Sequence, residues 1–235
     1  MTRHTYHHGD LPDAVMGAAL EEMERGDRFA VNFNRIAREL GVSHSAIYRH
    51  FPNKQALIDA LARRGFEQLG SDLGAALAEL EGSGAGARIR ALARTFVAYA
   101  ISEPMMLRLM FSGVATDRDR DPDLRQAALG TIGMLHREVK QAAAEGWVPR
   151  EEVGDVTRFF WGSVYGIATL KIEGQFEGML PDDAAFDRFV ERSADWLALG
   201  VGHPPDDELP EEWPPLPVSG QQSGAPTTPS VQGPA

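Results

Sequence analysis

The chain has 235 residues, of which 43% are hydrophobic and 24% charged, and carries a formal net charge of −11 at pH 7. That length gives one or two domains with a proper core, and the absence of cysteine excludes disulfides, thiolate metal sites and cysteine nucleophiles. The longest weakly charged apolar run, Phe159 to Ile172, is too short to span a bilayer, and Met1 to Leu11 lacks the apolar stretch of a secretory signal, so a cytoplasmic protein away from membranes is expected.

The apolar residues recur at helical spacing almost throughout, with no sustained alternation of the strand kind, so the fold class is all-α. Asp10 caps a first helix that has Pro12 in its first turn and Val15, Ala18, Ala19 and Met23 on one face; Gly26 ends it. A short second helix runs from about Phe33 to Leu40 with Asn32 as cap. Gly41 supplies a turn, Ser43 caps a third helix of two turns, and Pro52 stops it. Asn53 caps a long fourth helix through Leu57, Leu61, Phe66, Leu69 and Leu73. After Gly82-Ser83-Gly84 come a fifth helix with Ile89, Leu92 and Phe96, and a Met-rich sixth from Pro104 to about Phe111. The run Asp117 to Pro122 reads as a solvated connector. Three further helices follow, at about Asp123–Glu145, Glu152–Phe176 and Asp183–Gly200. The 32 residues from Pro204 hold nine of the fifteen prolines, five acids and no base, the composition of a disordered tail. The organisation is therefore residues 1–52, 53–202 and a tail at 203–235.

Charge is unevenly spread. Residues 28–66 carry a balance of +5, against −4 before them and −12 after. This basic island contains Gly41-Val42-Ser43-His44-Ser45-Ala46-Ile47-Tyr48-Arg49-His50-Phe51. Two short helices joined by a Gly turn and framed by longer ones form a helix-turn-helix arrangement. Val42, Ile47 and Phe51 make the buried set of the third helix, while Ser43, His44, Ser45, Tyr48 and Arg49 fall outward. Outward polar groups near the start of a recognition helix suit base edges in the major groove, with Arg49 able to fork onto guanine. Tyr48 and Lys54 suit phosphate oxygens, as do the free N–H groups at Asn32 and Asn53.

The stretches "YHHGDLPDAVMGAALE" and "IARELGVSHSAIYRHFPNKQALIDALARRGF" resemble the DNA-binding domain of the TetR family of transcriptional regulators, over about residues 6–66. The resemblance implies that Ser43 to Arg49 read the groove and that Tyr48, His50 and Lys54 touch the DNA backbone. Asn32 stands where Ser or Thr is usual, and Asn34 where a longer, often basic residue is common. Further on, "EPMMLRLMFSG" and "FFWGSVYGIATL" resemble the ligand-binding domain type named for a Trp-His-Gly segment, with Tyr165 in the place of His.

The eighth helix is apolar nearly all round, so it must be buried on both sides. Gly162 and Gly166 would let another backbone approach, and the expected partner is a second copy, joined through helices eight and nine. Met105, Met106, Leu109, Met110 and Phe111, with Trp161 and Tyr165, are the expected lining of an effector pocket, although Met and Leu at this spacing also read as ordinary core. His4, His7 and His8 read as an arm near DNA rather than a metal site, and His136 as structural. No phosphate loop, paired carboxylates or Ser-His-Asp set is found, so no catalytic function and no cofactor are expected. The function these features imply is a dimeric repressor released from its double-stranded operator by an apolar small molecule. The alternative is a helical ligand-binding or scaffold protein without specific DNA binding.

Overall fold

A computed structural model describes residues 11–26, 30–112 and 121–200. Its helices are α1 (Leu11–Arg25), α2 (Phe33–Leu40), α3 (His44–His50), α4 (Lys54–Ala78), α5 (Ala85–Ser102), α6 (Pro104–Phe111), α7 (Pro122–Ala144), α8 (Val153–Ile172) and α9 (Asp183–Gly200), with a 3-10 turn at Arg150–Glu152. The expected cap at Asp10, the histidine arm, most of the connector and the Pro-rich tail lie outside the described residues.

Local chemistry sets the boundaries. Asn32 Oδ1 accepts from the N–H groups of Asn34 and Arg35 at 3.0 and 3.2 Å, Ser43 Oγ from Ala46 at 3.2 Å, and Asn53 Oδ1 from Ala56 at 2.9 Å. Gly41 takes φ 66°, a left-handed turn that a side chain would strain, and so reverses the chain between α2 and α3. The eighth helix stops at Ile172, four residues short of the expected Phe176. The chain turns there through Gly174 at φ 70°, and the apolar pattern continues only because Phe176 packs on Phe186 and Phe189 at ring separations of 5.6 and 5.3 Å.

Helices α1 to α3 form a small unit around Val15, Ala19, Met23, Ile36, Ile47 and Phe51, all buried; Val42, expected with them, is half-buried at its edge. Helix α4 leaves that unit and becomes the spine of a bundle, packing on α5, α6 and α7, while α5 packs on α8 and α9. Among the described residues of the bundle, one buried charge is fully paired. Glu138 is gripped by Arg88 through Nε and a terminal nitrogen at 2.7 and 2.8 Å, and that hydrogen bond holds the guanidinium pKa above its ordinary value. At the start of α5, where Gly84 has no side chain to cap with, Glu145 just after α7 accepts from the Ala85 N–H at 3.2 Å.

Candidate nucleic-acid interface and ligand cavity

Helix α3 buries Ile47 and leaves Ser43, His44, Ser45, Tyr48, Arg49 and His50 exposed on its remaining surface. Asn32, Asn53 and Lys54 are exposed at the flanking helix starts. The structure thus brings all nine sequence-derived candidates for DNA contact to the surface, on and beside one helix. Tyr48, 43% exposed, packs its ring edge-on against Phe33 at 5.2 Å and His44 at 4.7 Å, contacts that favour this orientation of its phenol.

The start of α2 is held by a carboxylate that the sequence pattern does not reveal. Glu22, buried on α1, accepts from the Asn32 N–H at 3.2 Å and pairs with Arg35 at 2.9 Å. Arg35 thus serves the fold. Arg63 and Arg64 are likewise occupied, by Asp123 at 3.4 Å and Asp13 at 3.0 Å. Arg49 and Lys54 pair with no carboxylate among the described residues, so their charge is available outward.

A cavity of about 220 Å³ lies inside the bundle. Its walls are Phe66, Leu69 and Leu73 of α4, Leu92, Ala93 and Phe96 of α5, Phe111 at the end of α6, residues from Ala128 to Leu135 of α7, and Phe160, Trp161 and Val164 of α8. No charged side chain lines it. Its polar wall residue Thr131 donates its hydroxyl hydrogen to the Ala128 carbonyl at 2.9 Å. Phe111 is the hub of an aromatic set, with ring separations of 5.5 Å to Phe66, 6.4 Å to Phe96, 6.2 Å to Trp161 and 5.0 Å to Tyr165.

Of the residues expected to line a pocket, Phe111 and Trp161 do so, and Tyr165 stands behind Phe111. Met105, Met106, Leu109 and Met110 do not line this cavity: Met105 is half-buried, and the other three are buried core. The sulfur atoms of Met106 and Met110 fill the space over Gly65, where a Cβ would lie 2.9 and 2.6 Å from them. Beside them Tyr99 donates its phenol hydrogen to the Gly65 carbonyl at 3.1 Å, and burial pushes its pKa well above the ordinary value, with Glu103 and Asp72 adding to the shift. The wall residues of α4 and α5 were legible only as core, because lining a cavity and filling one require the same apolar periodicity.

Residues 15–61 match the family model "Bacterial regulatory proteins, tetR family", and residues 89–195 match "Tetracyclin repressor-like, C-terminal domain". The chain belongs to the TetR family. It is thereby a DNA-binding transcriptional regulator. The solved structure of a protein of unknown function from Rhodococcus sp. RHA1 is 30% identical with a TM-score of 0.71, covering 86% of this chain and all of that one. The class C tetracycline repressor of Escherichia coli is 44% identical over 50 residues, 21% of this chain and 23% of the repressor. A nucleoid occlusion factor, SlmA of Marinobacter nauticus, is 24% identical over 134 residues, 57% of this chain and 67% of that protein. Among the described residues no helix is long and apolar enough to cross a membrane.

Proposed function

We propose that the chain is a homodimeric repressor whose operator affinity falls when an apolar small molecule enters the bundle cavity. The observation that carries this reading is the pairing of two features on one helix. Helix α4 starts at Asn53 and Lys54 beside the recognition helix and supplies Phe66, Leu69 and Leu73 to the cavity wall. An occupant pressing on those side chains acts on the element that aims α3. In this reading Ser43, His44, Ser45 and Arg49 read base edges, and Tyr48, His50, Lys54 and Asn32 hold phosphates. The ligand is neutral and apolar because a charge would find no partner in the wall. The protein works in the cytoplasm, on the nucleoid when bound to DNA.

The dimer forms through α8 and α9. Phe159 is 59% exposed and Trp196 60%, and nothing lies within 4 Å of a Cβ placed on Gly162 or Gly166. A second copy crossing there buries the apolar face that this chain leaves uncovered, and a two-fold pair matches two operator half-sites. Phe159→Glu should sediment as a monomer at concentrations where wild type is dimeric; a dimer that persists places the interface elsewhere.

The decisive experiment is a gel-shift titration against DNA flanking the chain's own gene and a pool of random duplexes, at two salt concentrations. Wild type should select one sequence with salt-sensitive affinity, and Tyr48→Ala/Arg49→Ala should lose the selection. Selection that survives in the double variant would mean that another surface reads the DNA.

A further inference from the structure

Most arginines of the bundle are neutralised where they stand. Arg90 pairs with Asp195 at 3.4 Å, Arg94 with Glu191 at 3.4 Å, Arg108 with Glu173 at 2.7 Å, and Arg88 with the buried Glu138. Three cations in one place are exceptions. Arg137 and Lys140, one turn of α7 apart, and Arg150 in the 3-10 turn before α8 line a groove of about 590 Å³, with Ala143 and Val153 in its floor. None of the three pairs with a carboxylate among the described residues.

The carboxylates nearby in sequence do not neutralise them. Glu145 accepts from Gln141 and from the Ala85 N–H, and Asp155 takes Arg158. Glu151 and Glu152 flank Arg150 but do not line the groove. Another polar wall group, His136, is held by a hydrogen bond from its Nδ1. Thr157 Oγ1 spends its hydrogen on the Val153 carbonyl at 2.7 Å, so it must accept from His136 Nδ1 at 3.2 Å. That fixes the ring and leaves Nε2 without a partner among the described residues. In a chain of net charge −11, three unpaired cations around one concave surface are a local reversal of charge.

The groove is also remote from the recognition helix. Asp123, at the start of α7, pairs with Arg63 in the first half of α4, whereas Arg88 at the start of α5 pairs with Glu138, fifteen residues further along α7. At ~1.5 Å per residue, Arg137 and Lys140 stand roughly 20–25 Å from Asp123, at the end of the bundle away from α3. Duplex DNA seated on α3 does not reach them.

We propose that this groove is a second ligand site, for a small phosphate-bearing metabolite with more than one negative charge. Two planar guanidinium forks and one ammonium suit phosphate oxygens, the forks by paired hydrogen bonds and the ammonium as a point charge. The site differs from the bundle cavity in its charge and its lining: three cations stand around it and no aromatic side chain lines it. It therefore takes a different class of molecule from an apolar effector, and stands or falls separately from the proposed repressor function.

The test is titration calorimetry of the full-length protein with inorganic tripolyphosphate at low salt. Comparison variants are Arg137→Gln/Lys140→Gln, Arg150→Gln and, on the other face, Arg49→Ala/Lys54→Ala. All the groove substitutions are at exposed side chains, and an unchanged thermal midpoint verifies folding. One site per chain is expected, with affinity falling about tenfold for each charge-assisted contact removed in the groove. The Arg49→Ala/Lys54→Ala variant should retain that site, and operator binding by the groove variants should match wild type. Equal tripolyphosphate affinity in wild type and groove variants overturns the proposal. So does binding lost only in Arg49→Ala/Lys54→Ala, which would place the anion on the DNA face. Weakened operator binding in the groove variants would make the groove a DNA contact and overturn it as well.

Discussion

Two glycines of α4, nine residues apart, should respond to alanine in opposite directions. At Gly74 nothing lies within 4 Å of an added Cβ, so Gly74→Ala gains only helix propensity, about 1 kcal/mol. At Gly65 the same Cβ meets Met110 Sδ at 2.6 Å and Met106 Cγ at 2.8 Å, closer than real carbon contacts allow. Overpacking of this kind costs ~1–3 kcal/mol, and the upper half of that range applies if the Tyr99 bond to the Gly65 carbonyl is also lost. Both intruding groups belong to flexible methionines that can retreat, which favours the lower half. Setting ~2 kcal/mol of overpacking against ~1 kcal/mol of propensity leaves Gly65→Ala destabilised by about 1 kcal/mol. The two variants then differ by about 2 kcal/mol, or roughly 4–8 °C in melting temperature for a bundle of this size. Urea unfolding of the full-length chain, followed by far-UV circular dichroism, measures both. A Gly65→Ala protein as stable as Gly74→Ala would refute the close packing of α4 on α6.

Two further perturbations follow from buried polar groups. Arg35→Ala strands the buried Glu22 carboxylate with only the Asn32 N–H, so it should cost about 1–2 kcal/mol, and adding Glu22→Gln should recover part of that loss; strictly additive losses in a double-mutant cycle would deny the coupling. Tyr99 has a folded-state pKa raised above its ordinary value near 10, so its contribution is intact below that pH and is lost as pH rises past it. Unfolding midpoints at about pH 9 and about pH 11 should fall more steeply for wild type than for Tyr99→Phe, and parallel slopes would show that the phenol ionises freely in the fold.

The recognition head was legible because its signals are local. Asn32, Ser43 and Asn53 each cap the helix that begins beside them, Gly41 takes the left-handed turn it was read for, and Pro52 marks the end of α3. What escaped the sequence depends on distance in space. Glu22 and Arg35 are thirteen residues apart and look like two ordinary surface charges until the packing of α2 on α1 brings them together. Phe66, Leu69 and Leu73 carry the periodicity of packed core, and only the arrangement of five helices leaves a space between them. The Met-rich α6 suggested a pocket by composition, yet Met106 and Met110 fill the hollow over a glycine. Arg137, Lys140 and Arg150 lie in an acidic half of the chain, where the total charge conceals a local reversal.

The cavity and the recognition helix can be weighed against each other. Helix α4 has 25 residues and is therefore ~37 Å long, so tilting it by about 5° about its far end moves Asn53 by ~3 Å. That displacement is several times the tolerance of a hydrogen bond to a phosphate or a base edge. Taking an operator-competent population from 99:1 to 1:99 needs a ligand that prefers the tilted state by ~5.5 kcal/mol. The cavity of about 220 Å³ holds about seven groups of water size, at ~30 Å³ each. Burying seven methylenes at ~0.8 kcal/mol apiece yields ~5.6 kcal/mol, enough for the switch if the cavity is closed in the operator-bound state. A ligand of three or four such groups supplies only about half of that and should leave much of the operator occupied. Affinity for operator, measured across a homologous series of neutral apolar ligands, should therefore fall steeply with size until the cavity is full and then recover. A response independent of ligand size would mean that the occupant fits both states equally, and such an occupant shifts no equilibrium.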